Sequence, residues 1–309
     1  MWSNAYAPAG DMSMDIRSCR AEELERLIPL LDEEFVFGKG RSISLRLRFP
    51  TVFCRSNLHN ILVCKAGEEV ASALAIRQFD WREGGEIFRG AMIGGVYTHP
   101  ARRGEGLASR LLEAAAIQLR EGAVDFGVLW TGQPSFYARF GWVAADCSVL
   151  GEVEADESMS EPSGNVIPLQ AEASASRLEN IRQKWLNAMT LRRPEDYRQL
   201  PLPAESVDMR WREEQGKVAY TLFGSSGETG FLYELVGDSA CFPALWLEVC
   251  RGHRRIFIND QIASQSCRWL TDHVGVGWKN KSLAMWLPIS KRLDMQRLGQ
   301  WHIPYFDRI

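Results

Sequence analysis

The stretch HPARRGEGLASRLL, residues 99–112, decides the fold of this chain. It places two arginines and two closely spaced glycines directly before a run in which Leu107, Leu111 and Leu112 recur at helical spacing. The residues before it, IFRGAMIGGVYT (87–98), have the apolar character of a strand. A glycine-rich turn between a strand and a helix presents unpaired backbone N–H groups at the positive end of the helix dipole. The stretch therefore predicts a binding site for a phosphate group.

The segments around this turn predict an α/β fold. Apolar spacing and turn residues place the elements, in chain order, as a helix at 21–36, strands at 60–65, 70–79 and 87–98, a helix at 107–119 and a strand at 124–131. Pro29 is expected to kink the first helix, and WREGGE (81–86) is predicted to be a turn. A strand, a helix and a second strand in succession imply a crossover connection, and hence a mixed sheet covered by helices.

Composition divides the chain into four parts. Residues 1–14 are predicted to be a flexible leader, because they lack the basic start and apolar core of a signal peptide. Residues 15–150 hold the elements described above. Residues 151–165 are acidic and then rich in Ser, Pro and Gly, which is typical of an exposed linker, although their carboxylates could also attract a cationic substrate. Residues 166–309 form a second globular domain with most of the tryptophans, which would line a pocket or, more commonly, pack a core.

Bulk properties exclude several classes of function. No apolar run is long enough to cross a bilayer, and a net charge of −3 provides no electrostatic footprint for nucleic acid. The seven cysteines are scattered without a C-x-x-C pair, which favours reduced thiols in the cytoplasm, and the five histidines form no metal-ligand spacing. We therefore expect a cytoplasmic protein without a metal that binds neither membrane nor nucleic acid. A homo-oligomer is left open.

Three kinds of ligand use such a glycine turn. A P-loop requires a Lys-Ser/Thr pair after its last glycine, and no such motif occurs. GEGLAS (104–109) comes close to the dinucleotide fingerprint G-x-G-x-x-G, but Ser109 replaces the third glycine, and Asp125 opens its strand where the fingerprint needs an acid at the strand's end. RGEGLA (103–108) matches [QR]-x-x-G-x-[GA], the signature of the GCN5-related N-acetyltransferase superfamily, whose members bind acetyl-CoA.

The chain resembles this superfamily over about residues 15–150. FYARFGW (136–142) is similar to the second signature of the family, an aromatic helix that ends in Tyr-x-x-x-Gly-aromatic, and the two signatures stand in the family order. With its globular second half, the chain also resembles the two-domain acetyltransferases related to the enhanced-intracellular-survival proteins. In those proteins the second domain is a degenerate acetyltransferase-like fold without a cofactor signature, and residues 166–309 likewise contain none. We therefore predict that residues 166–309 form a second, degenerate acetyltransferase-like or mixed α/β domain.

The resemblance implies where acetyl-CoA, as co-substrate, would bind. The strands at 87–98 and 124–131 would splay apart around the pantetheine arm, whose amides would pair with backbone groups of Val96, Tyr97 and Thr98. Tyr137 would be the general acid that protonates the leaving thiolate, unless it is only a packing residue like Phe136. The remaining cofactor contacts would come from the phosphate-pairing side chain of Arg103, with Arg102 as an alternative, from the pyrophosphate-binding amides of Gly104, Glu105, Gly106, Leu107, Ala108 and Ser109, and from a channel wall at Gly132 and Gln133.

The sequence says less about the acceptor amine and the base that would deprotonate it. Direct attack needs a neutral amine and hence a base, but AMIGGVYT (91–98) has no carboxylate, which many family members supply there. Asp32, Glu33 and Glu34 are candidates, although a solvated helix end is the simpler interpretation; in the related proteins the carboxylate at the end of the chain can also serve. We expect an acetyl-CoA-dependent N-acetyltransferase that acts on a primary amine of a small molecule or peptide. The alternative is an acyl-CoA-binding protein that has lost turnover.

Overall fold

The computed structural model describes residues 15–67, 69–155, 166–281 and 283–309. The predicted leader, residues 1–14, and residues 156–165 of the predicted linker lie outside the described residues. The described chain folds around two β-sheets that helices cover. None of its helices combines the length and the apolar character that a membrane span needs.

Eight α-helices occur in the described ranges: α1 (Ala21–Phe35), α2 (Leu45–Arg48), α3 (Leu107–Glu121), α4 (Pro134–Ala138), α5 (Ala175–Trp185), α6 (Phe242–Cys250), α7 (Gln265–Val274) and α8 (Met295–Leu298). Short 3-10 turns lie at Phe37–Lys39, Arg55–Asn60, Pro100–Arg102, Pro194–Arg198, Ser239–Cys241 and Tyr305–Asp307. The helices predicted at 21–36 and 107–119 are confirmed. Pro29 lies inside α1, and Gly122 is the C-cap of α3.

The strands, in chain order, are β1 (Ile16–Ser18), β2 (Ile61–Ala66), β3 (Glu69–Glu83), β4 (Glu86–Thr98), β5 (Phe126–Trp130), β6 (Val143–Ala144), β7 (Ser148–Glu154), β8 (Val166–Pro168), β9 (Ala188–Leu191), β10 (Ser206–Glu214), β11 (Lys217–Ser226), β12 (Thr229–Gly237), β13 (Arg255–Gln261), β14 (Trp278–Asn280) and β15 (Ala284–Pro288). The turn predicted at 81–86 is shorter than expected. Trp81 is fully buried within β3, so only Gly84 and Gly85 separate β3 from β4.

The first sheet has the order β1-β2-β3-β4-β5-β15-β6, with β9 paired to the end of β3. Its one parallel pair among the described strands is β4 and β5, and the ladder between them covers only Gly90–Met92 and Phe126–Val128. Beyond that point the two strands no longer pair, so residues 93–98 of β4 face a gap. Helix α3 packs on one face of this sheet, and α1 packs on the other. The predicted mixed sheet with splayed central strands is confirmed.

The second sheet has the order β14-β7-β13-β12-β11-β10-β8 and is also mixed, because β12 and β13 are parallel. Helix α6 connects these two strands, so the β12–α6–β13 unit repeats the strand–helix–strand arrangement of β4–α3–β5. The turns that open the two helices differ. In the second unit the Asp238 side chain accepts a hydrogen bond from the Ala240 N–H at 3.0 Å, where the first unit has glycines. A carboxylate there opposes the binding of an anion.

The assignment of strands to the two sheets does not follow the predicted domain boundaries at residues 150 and 166. Strand β7, which spans the predicted end of the first domain and the start of the linker, pairs with β13 in the second sheet. Strand β15, far beyond the predicted linker, lies in the first sheet between β5 and β6. The physical reason is the free edge of β5. A buried strand leaves a row of unpaired backbone groups on that edge, and the two residues of β6 are too few to cover it.

An aromatic cluster ties the end of the chain to the first sheet. The ring centroid of Trp301 lies 5.1 Å from that of Trp81 and 5.1 Å from that of Phe126, and the ring of Trp286 lies 5.8 Å from Phe126. All four rings are at most 1% exposed. Removing one such side chain typically costs about 3–5 kcal/mol of stability. These two tryptophans of the second half therefore pack a core that both halves share.

We expect residues 1–155 expressed alone not to fold, because β5 would lack β15 and the aromatic cluster would lack Trp286 and Trp301. A matched control is the full chain with a protease site inserted between 156 and 165 and cleaved after folding, which should keep its circular dichroism and its thermal transition. A cooperative thermal transition in the isolated fragment 1–155 would show that the first sheet is self-sufficient.

Candidate active site

The turn between β4 and α3 depends on two glycines. Gly104 has a φ of +90°, and Gly106, the N-cap of α3, has a φ of +76°. Side chains of L-residues are strained in this left-handed region, so the backbone path requires glycine at both positions. No heavy atom lies within 4 Å of the place where a Cβ would stand on either glycine. The space in front of the turn is therefore open.

This turn forms a row of free hydrogen-bond donors. The backbone N–H groups of residues 104–109 donate to no other described residue, and those of 107–109 belong to the first turn of α3, where an α-helix has no internal acceptor. The helix dipole adds about half a positive charge at this end. The six residues predicted to bind pyrophosphate thus lie together in one continuous run, and their role stays a prediction.

The arginines beside the turn are already paired with carboxylates. Arg102 donates two hydrogen bonds of 2.6 Å to Glu105, and Arg103 donates to Glu34 at 2.8 Å and to the Thr98 carbonyl at 3.4 Å. Such exposed ion pairs contribute roughly 0–1 kcal/mol, so a phosphate can compete for either guanidinium. The pairing gives Glu34 a structural partner in place of the substrate-binding role suggested by its sequence position.

Asp32, two residues before Glu34, has a structural role. Asp32 is 3% exposed and accepts a hydrogen bond from the Leu45 N–H at 2.7 Å, which holds α2 against α1. It therefore does not face a substrate. Glu33 is exposed at the end of α1.

Strand β4 carries a bulge where its ladder with β5 has ended. In the ladder between β3 and β4, Ala73 pairs with Tyr97 and Ala75 pairs with Gly94, so β4 has one more residue than β3 between these two pairs. Gly95, inside the bulge, has a φ of +57°. A bulge leaves backbone groups outside the ladder. Val96 lies in it, and the other predicted pantetheine ligands, Tyr97 and Thr98, follow directly.

Side chains alternate around this bulge. Tyr97 is buried in the cluster under α1, whereas Val96 packs with α3 on the opposite face. The Ser72 hydroxyl donates to the Tyr97 carbonyl at 2.5 Å. One of the two backbone groups of Tyr97 is therefore engaged within the sheet.

The opposite wall of the gap comes from the segment after β5. Gly132 and Gln133 are exposed, and the Gln133 N–H donates to the Thr131 hydroxyl at 2.9 Å, which starts α4. Tyr137 on α4 packs against the same cluster as Val96, and its ring makes an edge contact with Phe136 at 5.0 Å. The structure thus packs Tyr137 and Val96 in one cluster, and the channel-wall role of Gly132 and Gln133 stays a prediction.

The Tyr137 hydroxyl donates no hydrogen bond to any described residue. Burial raises the pKa of this phenol. The group therefore holds its proton at neutral pH and has no acceptor for it among the described residues, which suits a proton donor to a bound molecule.

Sequence reasoning did not place Ile309. Its main-chain oxygen and carbon lie 2.9 and 3.0 Å from the position that a Cβ on Gly94 would occupy, so the chain reaches β4 only because residue 94 is glycine. The available signal was the pair Gly94-Gly95 inside an apolar strand, since glycine there often marks the close approach of another backbone.

A buried ionic cluster holds this last segment in place. Arg192 donates to both carboxylate oxygens of Asp307 at 2.7 and 2.9 Å and to both of Glu234 at 2.9 and 2.7 Å. Arg77 of β3 bonds the Asp307 carbonyl and the Asp196 carboxylate. Burial by itself raises the pKa of Asp307, but the guanidinium groups of Arg192, Arg182 and Arg77 together outweigh burial and lower that pKa to about 2. Asp307 therefore stays ionised, and the cluster joins both sheets to the segment before Ile309.

Comparison with known proteins agrees with this geometry. Residues 15–145 match the acetyltransferase (GNAT) domain family. No curated protein sequence matches the chain significantly. Among solved structures, the chain is similar to a probable N-acyltransferase from Enterococcus faecalis V583, with a TM-score of 0.71 and 14% identity over 90% of this chain and 73% of that one.

Two further structures share the fold. A GCN5-related N-acetyltransferase from Kribbella flavida has a TM-score of 0.68 and 18% identity over 90% of this chain and 72% of that one. Eis1 from Mycobacterium abscessus has a TM-score of 0.60 and 16% identity over 89% of this chain and 73% of that one. At such identities these structures show the fold alone. Residues 15–145 thus match the acetyltransferase (GNAT) domain family, and the whole chain shares its fold with solved structures of GCN5-related N-acetyltransferases.

Proposed function

We propose that the protein is an acetyl-CoA-dependent N-acetyltransferase that acts on a primary amine of a small molecule or peptide. The observation that carries this proposal is the run of free N–H donors at residues 104–109, placed where the β4–β5 ladder has opened. The donors would hold the pyrophosphate of acetyl-CoA, and the gap would take its pantetheine arm. Val96, Tyr97 and Thr98 would pair with that arm on one side, and Gly132 and Gln133 would line the other side.

The proposed reaction is a direct transfer. The amine nitrogen attacks the thioester carbonyl carbon, negative charge gathers on the carbonyl oxygen, and a free backbone N–H of the β4 bulge stabilises that charge. The carbon–sulfur bond then breaks, and the hydroxyl of Tyr137 protonates the departing thiolate. The amine proton leaves to a base.

For that base, the nearest candidate to β4 is the main-chain oxygen of Ile309 beside Gly94. In a chain that ends at Ile309 this atom belongs to a carboxylate, which can accept the proton. In a longer chain it would be an amide carbonyl, which is far too weak a base. The buried alternative Asp32 already has a structural partner, and Glu34 lies beside the pyrophosphate turn, where it pairs with Arg103.

A second candidate function is acyl-CoA binding without turnover, and one observation favours it: β4 carries no carboxylate between 91 and 98. Release of the free CoA thiol from acetyl-CoA across a panel of primary amines separates the two functions. We expect thiol release above the rate without amine and proportional to protein. Tight acetyl-CoA binding in calorimetry with no thiol release from any amine would favour the second function.

For the second sheet we propose that it binds no CoA, because Asp238 occupies the turn that opens α6. Calorimetric titration with acetyl-CoA should therefore give one site per chain. A stoichiometry of two would disprove this assignment.

Replacing Gly106 by alanine should weaken acetyl-CoA binding about 10- to 100-fold, because the Cβ would stand where the phosphate oxygens lie and would cost one or more charge-assisted hydrogen bonds. Gly216→Ala is a matched control, since Gly216 has the same φ of +76°, no heavy atom within 4 Å of its Cβ position, and lies in the β10–β11 turn. Both variants should lose similar stability, and only the first should lose affinity in calorimetric titration. Equal affinities in the two variants would refute the pyrophosphate assignment.

Replacing Tyr137 by phenylalanine keeps the ring and removes the hydroxyl, so kcat should fall about 10²- to 10⁴-fold with acetyl-CoA affinity little changed. Tyr197→Phe is the control, since it removes a hydroxyl that bonds Glu179 away from the gap. Wild-type turnover in Tyr137→Phe would make Tyr137 a packing residue.

A further inference from the structure

An aromatic pocket opens on the second sheet. It has a volume of about 200 Å³ and is lined by residues of β7, β12 and β13 together with Pro203 and Tyr305. Two ring pairs form its walls: Phe231 and Phe257 stack with centroids 5.9 Å apart at 16°, and Tyr233 and Tyr305 stack at 6.2 Å and 7°. Phe257 is 38% exposed. Nearly parallel rings, of which Phe257 remains open to solvent, suit a flat apolar group.

A cation without a carboxylate partner lies at the edge of this pocket. Arg308 donates from Nη2 to the Asn259 side-chain oxygen at 2.7 Å, and from Nε and Nη2 to the Ile303 carbonyl at 3.0 and 2.9 Å. Asn259 itself lines the pocket. Within the described part of the chain, Nη1 donates to no residue and no carboxylate comes within 4.0 Å of the guanidinium. The pKa of Arg308 is lowered to about 10, because burial disfavours its charged form. The negative charges of Asp146 and Asp307 raise this pKa, but by less than burial lowers it.

Arg308 connects the pocket to the proposed transfer site. Its guanidinium carbon lies 5.3 Å from the ring centroid of Tyr305, in the pocket wall, and 4.8 Å from that of Trp130. Trp130 is the last residue of β5, beyond the end of the ladder with β4. The residue after Arg308, Ile309, contacts Gly94 of β4. The guanidinium therefore lies between the aromatic pocket and the gap where the thioester would be held.

The pocket is on the acceptor side of the first sheet. Trp130 and Ile309 pack with Met92 and Val128, whereas α3 and Tyr137 pack on the opposite face. Since the pyrophosphate turn belongs to the α3 side, a second substrate would approach from the side of Arg308.

We propose that the acceptor is a primary amine that also carries an aromatic ring and a carboxylate, the combination found in an aromatic amino acid. The ring would enter the slot between Phe231, Phe257, Tyr233 and Tyr305, the carboxylate would bond Arg308, and the amine would face the thioester beside Gly94. This inference rests on the proposed function, because it assigns the pocket to the acceptor of that transfer. A carboxylate would supply the anion that Arg308 lacks in the protein, and a charge-assisted pair of this kind, partly withdrawn from water, is worth about a 10- to 100-fold change in specificity.

Two matched pairs of acceptors test the proposal with the full-length protein: L-phenylalanine against phenethylamine, and 4-(aminomethyl)benzoate against benzylamine. Within at least one pair, the compound with the carboxylate should have a kcat/KM about 10- to 100-fold higher in the thiol-release assay. L-Alanine, which lacks the ring, should be a poorer acceptor than L-phenylalanine. The two pairs place the carboxylate at different distances from the amine, so the preferred pair also measures the spacing.

Three variants assign the preference to individual residues. Arg308→Gln should bring the ratio within each pair to about 2-fold or less, and Arg308→Lys should restore part of it, since it returns the charge without the planar fork. Phe257→Ala should lower kcat/KM for the ring-bearing amines and preserve the carboxylate ratio. Arg255→Gln, on the same strand β13 and outside the pocket lining, is the control and should keep the wild-type ratio. A ratio taken within one protein does not depend on the fraction of each variant that folds.

A binding measurement separates this inference from the proposed function. Calorimetry should show N-acetyl-L-phenylalanine binding more tightly than N-acetylphenethylamine, with the difference lost in Arg308→Gln. That result without turnover of any amine would support the pocket and reject the transferase. Turnover of amines with ratios near 1 in both pairs would overturn the pocket assignment and leave the transferase intact. Faster turnover with octanoyl-CoA than with acetyl-CoA, abolished in Phe257→Ala, would assign the pocket to an acyl chain and also overturn the inference.

Discussion

A parallel pair of strands that stops pairing after three residues leaves the backbone groups facing the gap without a partner strand, so β4 and β5 must each be held from their other edge, and the organisation of this protein follows from that constraint. On the far edge of β5, β15 pairs with all five residues from Phe126 to Trp130. On its other edge β4 stays paired with β3, and a bulge at Gly94–Val96 in that ladder leaves further backbone groups of β4 outside the pairing. The gap can stay open because β5 is held from the other side.

The pairing of β15 with β5 makes the two sheets depend on each other. The strand that closes β5 comes from near the end of the chain, and β7, from the end of the family-matched region, joins the second sheet. The segment after β15 returns across the first sheet through Trp301, and the Arg192–Asp307–Glu234 cluster fixes it between the sheets. Buried ion pairs contribute little net stability but tolerate few alternative arrangements, so such a cluster specifies one position for the segment. Ile309 and Arg308 are thereby held at the proposed transfer site.

The cofactor and acceptor sides consequently have different physical origins. The proposed pyrophosphate site is local: consecutive amides at a helix start need only the glycines that permit the turn. The proposed acceptor side is assembled from β5, β12, β13 and residues 305–309, which are distant in sequence. Its character, aromatic with one cation that has no carboxylate partner among the described residues, is a property of that assembly.

The sequence by itself determined the features that depend on neighbouring residues. The signatures at 103–108 and 136–142, the helices α1 and α3 and the mixed sheet with a crossover follow from glycine conformation, apolar spacing and connection rules, all of which act over short stretches. Tertiary structure alone decided that β15 completes the first sheet and that β7 leaves it, because strand pairing depends on which edges remain free after the other strands have paired. It also decided that Asp32 and Glu34 are structural, that Trp301 is core, and that Ile309 reaches Gly94. Each of these depends on contacts between residues far apart in the chain, and no local pattern of charge or apolarity encodes such contacts.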